Sequence, residues 1–182
     1  MSAVRPTKAA REDAADTNSA QAGAWRRPVE GSSKADLDPV DKALVEALQQ
    51  DGRRSYAALA KEVGKSEAAV RQRVQRLIEN GVMQIVAVTD PLTLGFARQA
   101  MVGIRAHGNV RKLADQLAAI PEIDYVVVTA GSFDLLVELV CYDDDHLLAL
   151  VNDHIRSVPE VRDTETFMYL KLRKQTYAWG TP

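Results

Sequence analysis

The 182-residue chain has one cysteine, three phenylalanines, two tryptophans and three histidines. A lone thiol, Cys141, cannot close an internal disulfide, which suits a reducing cytoplasm and excludes a disulfide-stapled scaffold. No run approaches the roughly 18 uninterrupted apolar residues of a membrane span. The N-terminus mixes Arg5, Lys8, Arg11, Glu12 and Asp13 without an apolar segment, so it is not a secretory signal. Charge of one sign is missing too: the formal net charge is −2, with 23 Lys and Arg against 25 Asp and Glu. Any nucleic-acid surface must therefore arise from local clustering, not from a bulk basic balance. With 46% hydrophobic and 26% charged residues, what remains is an ordinary globular composition.

Residues 1–36 have neither a strand nor a helix period, and little apolar surface to offset ordering entropy; they read as a disordered tail. Trp25 is its one large apolar residue, an incidental aromatic or a docking contact. Helical signals begin at Leu37-Asp38-Pro39. Asp38 suits an N-cap, Pro39 the first helical position, and Asp41 a reciprocal cap. Val40, Leu44, Ala47 and Leu48 fall on one face, and Asp51-Gly52 ends the helix. Ser55 caps a second helix with Tyr56, Leu59, Ala60 and Val63 inward. After the tight turn at Gly64-Lys65, Ser66 caps a third helix, which buries Val70, Val74, Leu77 and Ile78 and leaves through Asn80-Gly81. This spacing predicts a helix-turn-helix over 37–81.

From Gly81 the period becomes 2. Met83, Ile85 and Ala87 alternate with Gln84, Val86 and Val88, predicting a linker strand within 82–95. Beyond it lies an internal repeat. Ile120-Pro121-Glu122-Ile123 recurs as Val158-Pro159-Glu160-Val161. Each copy follows an amphipathic helix: Val110, Leu113, Ala114 and Leu117 in one, Leu148, Val151, Ile155 and Val158 in the other. Each helix follows an alternating strand, Ala100-Val102-Ile104-Ala106 or Leu135-Val137-Leu139-Cys141. The order βαββαβ predicts an α+β chain: a winged-helix-like helix-turn-helix, then a ferredoxin-like module over 96–175, with 176–182 a C-terminal tail. Met101, Val126, Val128, Leu136, Val140, Met168 and Leu170 are assigned to the sheet face that helices leave open, for which a second copy is the expected cover.

On the third helix, with Val70 set at zero, Gln75, Ala68, Gln72 and Arg76 fall at about 140°, 160°, 200° and 240° and face away from the core. Glutamine, arginine and alanine on one face suit the acceptors, donors and methyl groups of a major groove. Within residues 64–77, Lys65, Arg71, Arg73 and Arg76 stand against Glu67 alone. The DNA-contacting set is thus Ser55, Lys65, Ser66, Ala68, Ala69, Arg71, Gln72, Arg73, Gln75 and Arg76. Within it Arg73 flanks the buried stripe and can instead pair with Glu62 or another carboxylate.

Several linked features resemble the Lrp/AsnC (leucine-responsive, or feast-famine) family of transcriptional regulators. They are Leu37-Asp38 with Asp41, Asp51-Gly52-Arg53, Leu59-Ala60, Val63-Gly64, Ser66 through Leu77, Gly81 and Ile85, Gly131-Ser132-Phe133-Asp134, and Pro159-Glu160-Val161 with Thr164 and Thr166. Lys65 departs from the family pattern, standing where an apolar turn residue is usual; it either loosens the turn or adds a phosphate contact. The resemblance implies a cytoplasmic, nucleoid-associated regulator that binds double-stranded DNA. It implies self-assembly into dimers and octamers built as tetramers of dimers, and no cofactor beyond an amino-acid or related metabolite effector. Gly131, Ser132, Phe133 and Asp134 could hold an amino acid by backbone amides and a carboxylate. Thr164 and Thr166, two apart on a strand, present both hydroxyls to one face. An architectural DNA-packing protein without an effector remains the alternative.

Catalysis has little to build on. Cys141 alternates inward with leucines, and there is no phosphate-binding glycine loop or serine elbow. Asp143-Asp144-Asp145-His146 reads as an acidic helix start before it reads as a metal site.

Overall fold

The computed structural model describes residues 36–181; the expected tail and its Trp25 lie outside the described residues. The chain divides into two compact units. The first contains α1 (Pro39–Gln50), α2 (Tyr56–Val63) and α3 (Glu67–Glu79). Asp38, Ser55 and Ser66 cap the three helices, accepting from the backbone N–H of Asp41, Ala58 and Ala69. Gly64 turns the chain at φ 63° between α2 and α3, where a Cβ would be strained. Leu44, Leu48, Leu59, Val70 and Val74 form the core, with Met83 packed against it.

The second unit runs β1 (Arg98–Ala106), α4 (Val110–Ala118), β2 (Ile123–Val128), β3 (Leu135–Cys141), α5 (Asp144–Ala149) and β4 (Val161–Met168). All pairings are antiparallel in the order β2-β3-β1-β4, the topology of the expected ferredoxin-like module. Ala100, Val102, Ile104, Leu135, Val137, Leu139 and Cys141 are fully buried on the helix side, with Leu113, Leu117 and Ile155 opposite.

Four expectations need correction. Residues 83–90 form no strand: their alternation supplies faces, but no strand among the described residues pairs with them. In β2 the register shifts between Ile123 and Tyr125, and this extra residue reverses the phase. Val126 and Val128 therefore sit opposite Val137 and Leu135 on the helix side, leaving Val127 and Tyr125 on the open face. Met168 pairs with Ala100 and likewise lies on the helix side, so the open-face residue of β4 is Phe167, beside Met101. Finally, α5 continues into a π-helical turn, Leu150–Ile155, whose wider winding rotates the apolar face. Leu150, Val151 and Ile155 are buried in consequence, while Leu148 is 59% exposed.

The last residues are also not a free tail. Gln175–Pro182 groups with the helical unit. Gly180 donates its N–H to Gln49 Oε1 at 3.0 Å, and the Thr181 hydroxyl bonds Glu46, both acceptors on α1.

Candidate nucleic-acid interface

The outward side of α3 is available. Ala68, Gln72, Gln75 and Arg76 are exposed, as are Lys65 and Ser66 at the turn, while Ala69 is half-buried. Ala69, Gln72, Arg73, Gln75, Arg76 and Glu79 line one shallow concavity on this helix. Ser66 fixes the start of α3, just after the turn, through its bond from Ala69 N–H, and Ser55 fixes the start of α2 in the same way.

The cations are not equally free. Arg71 pairs with Glu67 at 3.0 Å and its guanidinium lies 4.8 Å from the centre of the Tyr56 ring on α2. Arg73 is held more firmly, donating to Asp38 Oδ2 at 2.6 Å and Asp41 Oδ1 at 2.8 Å. Its partner is therefore not Glu62, which Arg54 occupies. With a side chain only 26% exposed, Arg73 joins α3 to α1, so it is a structural residue first. Arg76 faces outward as expected, yet one of its nitrogens bonds Asp41 Oδ2 at 2.9 Å. Asp41 consequently gives its carboxylate to two arginines instead of completing a cap.

The Asp38 carboxyl is held below its ordinary value of 3.8, chiefly by the Asp41 backbone N–H and then by the Arg73 guanidinium. Arg73 is pushed up by the same two carboxylates.

The residues expected to hold an effector do not converge within one chain. Gly131 and Ser132 are exposed in the turn between β2 and β3. The Phe133 ring covers Gly103, where a Cβ would come within 2.8 Å of it, and meets Phe167 edge-on at 5.9 Å on the open sheet face. Arg105 lies 4.5 Å from the centre of the Phe133 ring, donates to the Ser132 carbonyl at 3.0 Å, and pairs with Asp163 at 2.6 Å. Asp134 Oδ2 accepts the Ala106 N–H at 2.8 Å, so this carboxylate is already tying the turn to β1. Thr164 and Thr166 do share a face, but it is the opposite one: they pair with Ile104 and Val102, whose side chains point to the helices.

Sequence reasoning missed the Asp38–Asp41–Arg73–Arg76 cluster and the Arg105–Phe133 stack. Long-range pairs leave no periodic mark, although an arginine in the open-face phase of an apolar strand is a signal for the second.

The Asp143-Asp144-Asp145-His146 run resolves into local structure. Asp143 caps α5 by accepting His146 N–H at 2.8 Å, and Asp144 forms a two-point pair with Arg98 at 2.5 and 3.0 Å.

Comparison with known proteins agrees with this architecture. A family model for the AsnC-type helix-turn-helix domain matches residues 37–78, and one for a C-terminal dimeric alpha+beta barrel domain of AsnC-type regulators matches residues 98–182. An HTH-type transcriptional regulator of Pyrococcus abyssi, itself uncharacterized, is 32% identical over 81% of this chain and 94% of its own. The proline dehydrogenase transcriptional activator of Rhizobium radiobacter is 30% identical over 78% of this chain and 94% of its own. A transcriptional regulator of Neisseria meningitidis, solved in complex with L-methionine, superposes with a TM-score of 0.68 at 24% identity, covering 80% of this chain and 96% of the other. These relatives are regulators, not enzymes. The chain belongs to the Lrp/AsnC family of transcriptional regulators, with an AsnC-type DNA-binding helix-turn-helix ahead of an α+β domain.

Proposed function

We propose that this regulator binds DNA sequence-specifically as a two-fold dimer and that an amino acid or related small metabolite modulates its binding or assembly. The observation that carries the first part is the outward face of α3, where Ala68, Gln72, Gln75 and Arg76 are exposed in one row. Gln72 and Arg76 supply the paired donors and acceptors that read base edges. Lys65 and Arg71 flank them and suit phosphate contacts, which position the protein without reading sequence. A dimer presents two such helices, so the preferred site is a pseudo-palindrome. In binding-site selection, Gln72→Ala or Arg76→Ala relaxes the preference at one position of each half-site. Lys65→Ala instead weakens all sequences alike and flattens the salt dependence. An unchanged preference in both Gln72→Ala and Arg76→Ala would refute this reading.

Support for an effector comes from the Neisseria relative, which was solved with L-methionine, and from the Gly131–Asp134 turn, where exposed backbone adjoins the Arg105 guanidinium. Thermal-shift screening of the twenty amino acids tests it, with stabilisation by at least one expected. Stabilisation by none favours an architectural DNA-packing role.

A further inference from the structure

The arginines of α3 differ in what restrains them. Arg71 is tethered to Glu67 on its own helix, and both side chains are more than half exposed. Such an exposed pair is weak, and beyond it the guanidinium has only the face of the Tyr56 ring, which does not fix its hydrogen-bonding direction. Arg76 is different: its side chain is 54% exposed, yet it ends on a carboxylate that is 4% exposed and belongs to another helix. Asp41 is the one buried charged residue among the described residues. Arg73 alone does not saturate it, since that arginine takes Oδ1 and also serves Asp38, leaving Oδ2 to Arg76.

We propose that Asp41 is a specificity-determining residue, which buttresses Arg76 from behind so that the guanidinium's remaining N–H groups are fixed for a guanine edge. This rests on α3 being the recognition helix. A guanidinium carries five N–H donors in one plane, so a bond from one terminal nitrogen to Asp41 leaves enough for a two-point contact to the guanine O6 and N7 acceptors. The long side chain would otherwise lose its rotamer freedom on binding; here it is ordered beforehand. The carboxylate also fixes which way the plane of the fork faces, and a fork in the wrong plane cannot reach two acceptors of one base. Asp41 itself stays behind the arginine and acts through it, as a positioning residue.

Binding-site selection with the full chain tests this, with folding monitored by circular dichroism. Arg76→Ala first locates the base pair that Arg76 reads; no change there sinks the recognition-helix assignment for this residue and the buttress with it. Given such a base pair, Asp41→Asn lowers discrimination at that position by about tenfold and leaves the other positions alone. It has no further effect on preference in an Arg76→Ala background. Asp38→Asn, which loosens the other anchor of Arg73 and spares Asp41, keeps the preference. An Asp41→Asn protein that keeps full discrimination at the Arg76 position, or loses affinity for every sequence equally, overturns the proposal. Should Asp41→Asn fail to fold, Asp41→Glu decides. It keeps the carboxylate and its charge but shifts the oxygens by one methylene, so Arg76 stays present while its fork is re-aimed. Discrimination at the Arg76 position alone falls if the buttress operates, and undiminished discrimination there refutes it.

Discussion

At the scale of single residues, Asp38 gives the first prediction. Its folded carboxyl lies below the ordinary 3.8, so the stability it adds is fully present above that value and is lost as pH falls through the lower folded value. The helical signal should stay level from neutrality down to about pH 4 and then decline, and Asp38→Asn, which can still cap α1, should make the decline shallower. A pH titration followed by circular dichroism checks both. Cys141 gives the second. Burial, assisted by Asp124 and other nearby carboxylates, pushes its thiol up to about 11, and its side chain is fully enclosed. An aromatic disulfide reagent at about pH 8 should find no thiol in the native protein and one per chain in guanidinium. Gly103 gives the third: a methyl group there meets the Phe133 ring at 2.8 Å, so Gly103→Ala should displace the ring and cost about 1–3 kcal/mol by denaturant melting.

At the scale of elements, the end of α5 offers a direct comparison. Leu150→Ala should cost about 2–5 kcal/mol, because a fully packed side chain leaves a cavity. Leu148→Ala, on the exposed side, should stay within about 0.5 kcal/mol. Helical periodicity from Leu148 to Val158 predicts the opposite for Leu148, since the π-turn inserts a register change that no residue type announces. The β2 shift at Asp124 is hidden in the same way, and one extra residue was enough to place Val126 and Val128 on the wrong face. What was legible is what local chemistry dictates. The serine and aspartate caps, the left-handed Gly64, the paired Ile-Pro and Val-Pro helix exits and the inward row from Leu135 to Cys141 all stand where spacing put them. The outward face of α3 was readable because 100° per residue needs no partner. The tethering of Arg73 and Arg76 was not, because Asp41 lies 32 and 35 residues away.

At the scale of the whole molecule, the open sheet face carries Met101, Val127, Leu136, Val140 and Phe167 with no helix of its own unit above it. Cover by a second copy predicts a dimer in sedimentation at micromolar concentration, and Leu136→Asp should shift it toward monomer; a wild-type monomer would refute the assignment. The return of Gln175–Pro182 to the helical unit bears on how the two units can be separated. The backbone leaves that unit after Ala87 and re-enters it at Gln175, so two covalent crossings join it to the sheet unit. Each crossing shortens the range over which the units can diffuse apart, and a protease that nicks only residues 83–90 leaves the helices held to the C-terminal segment, which is still fused to the sheet. Liberating a helical unit complete with its C-terminal segment takes two cuts, and a tag fused behind Pro182 is attached, in effect, to the DNA-reading half.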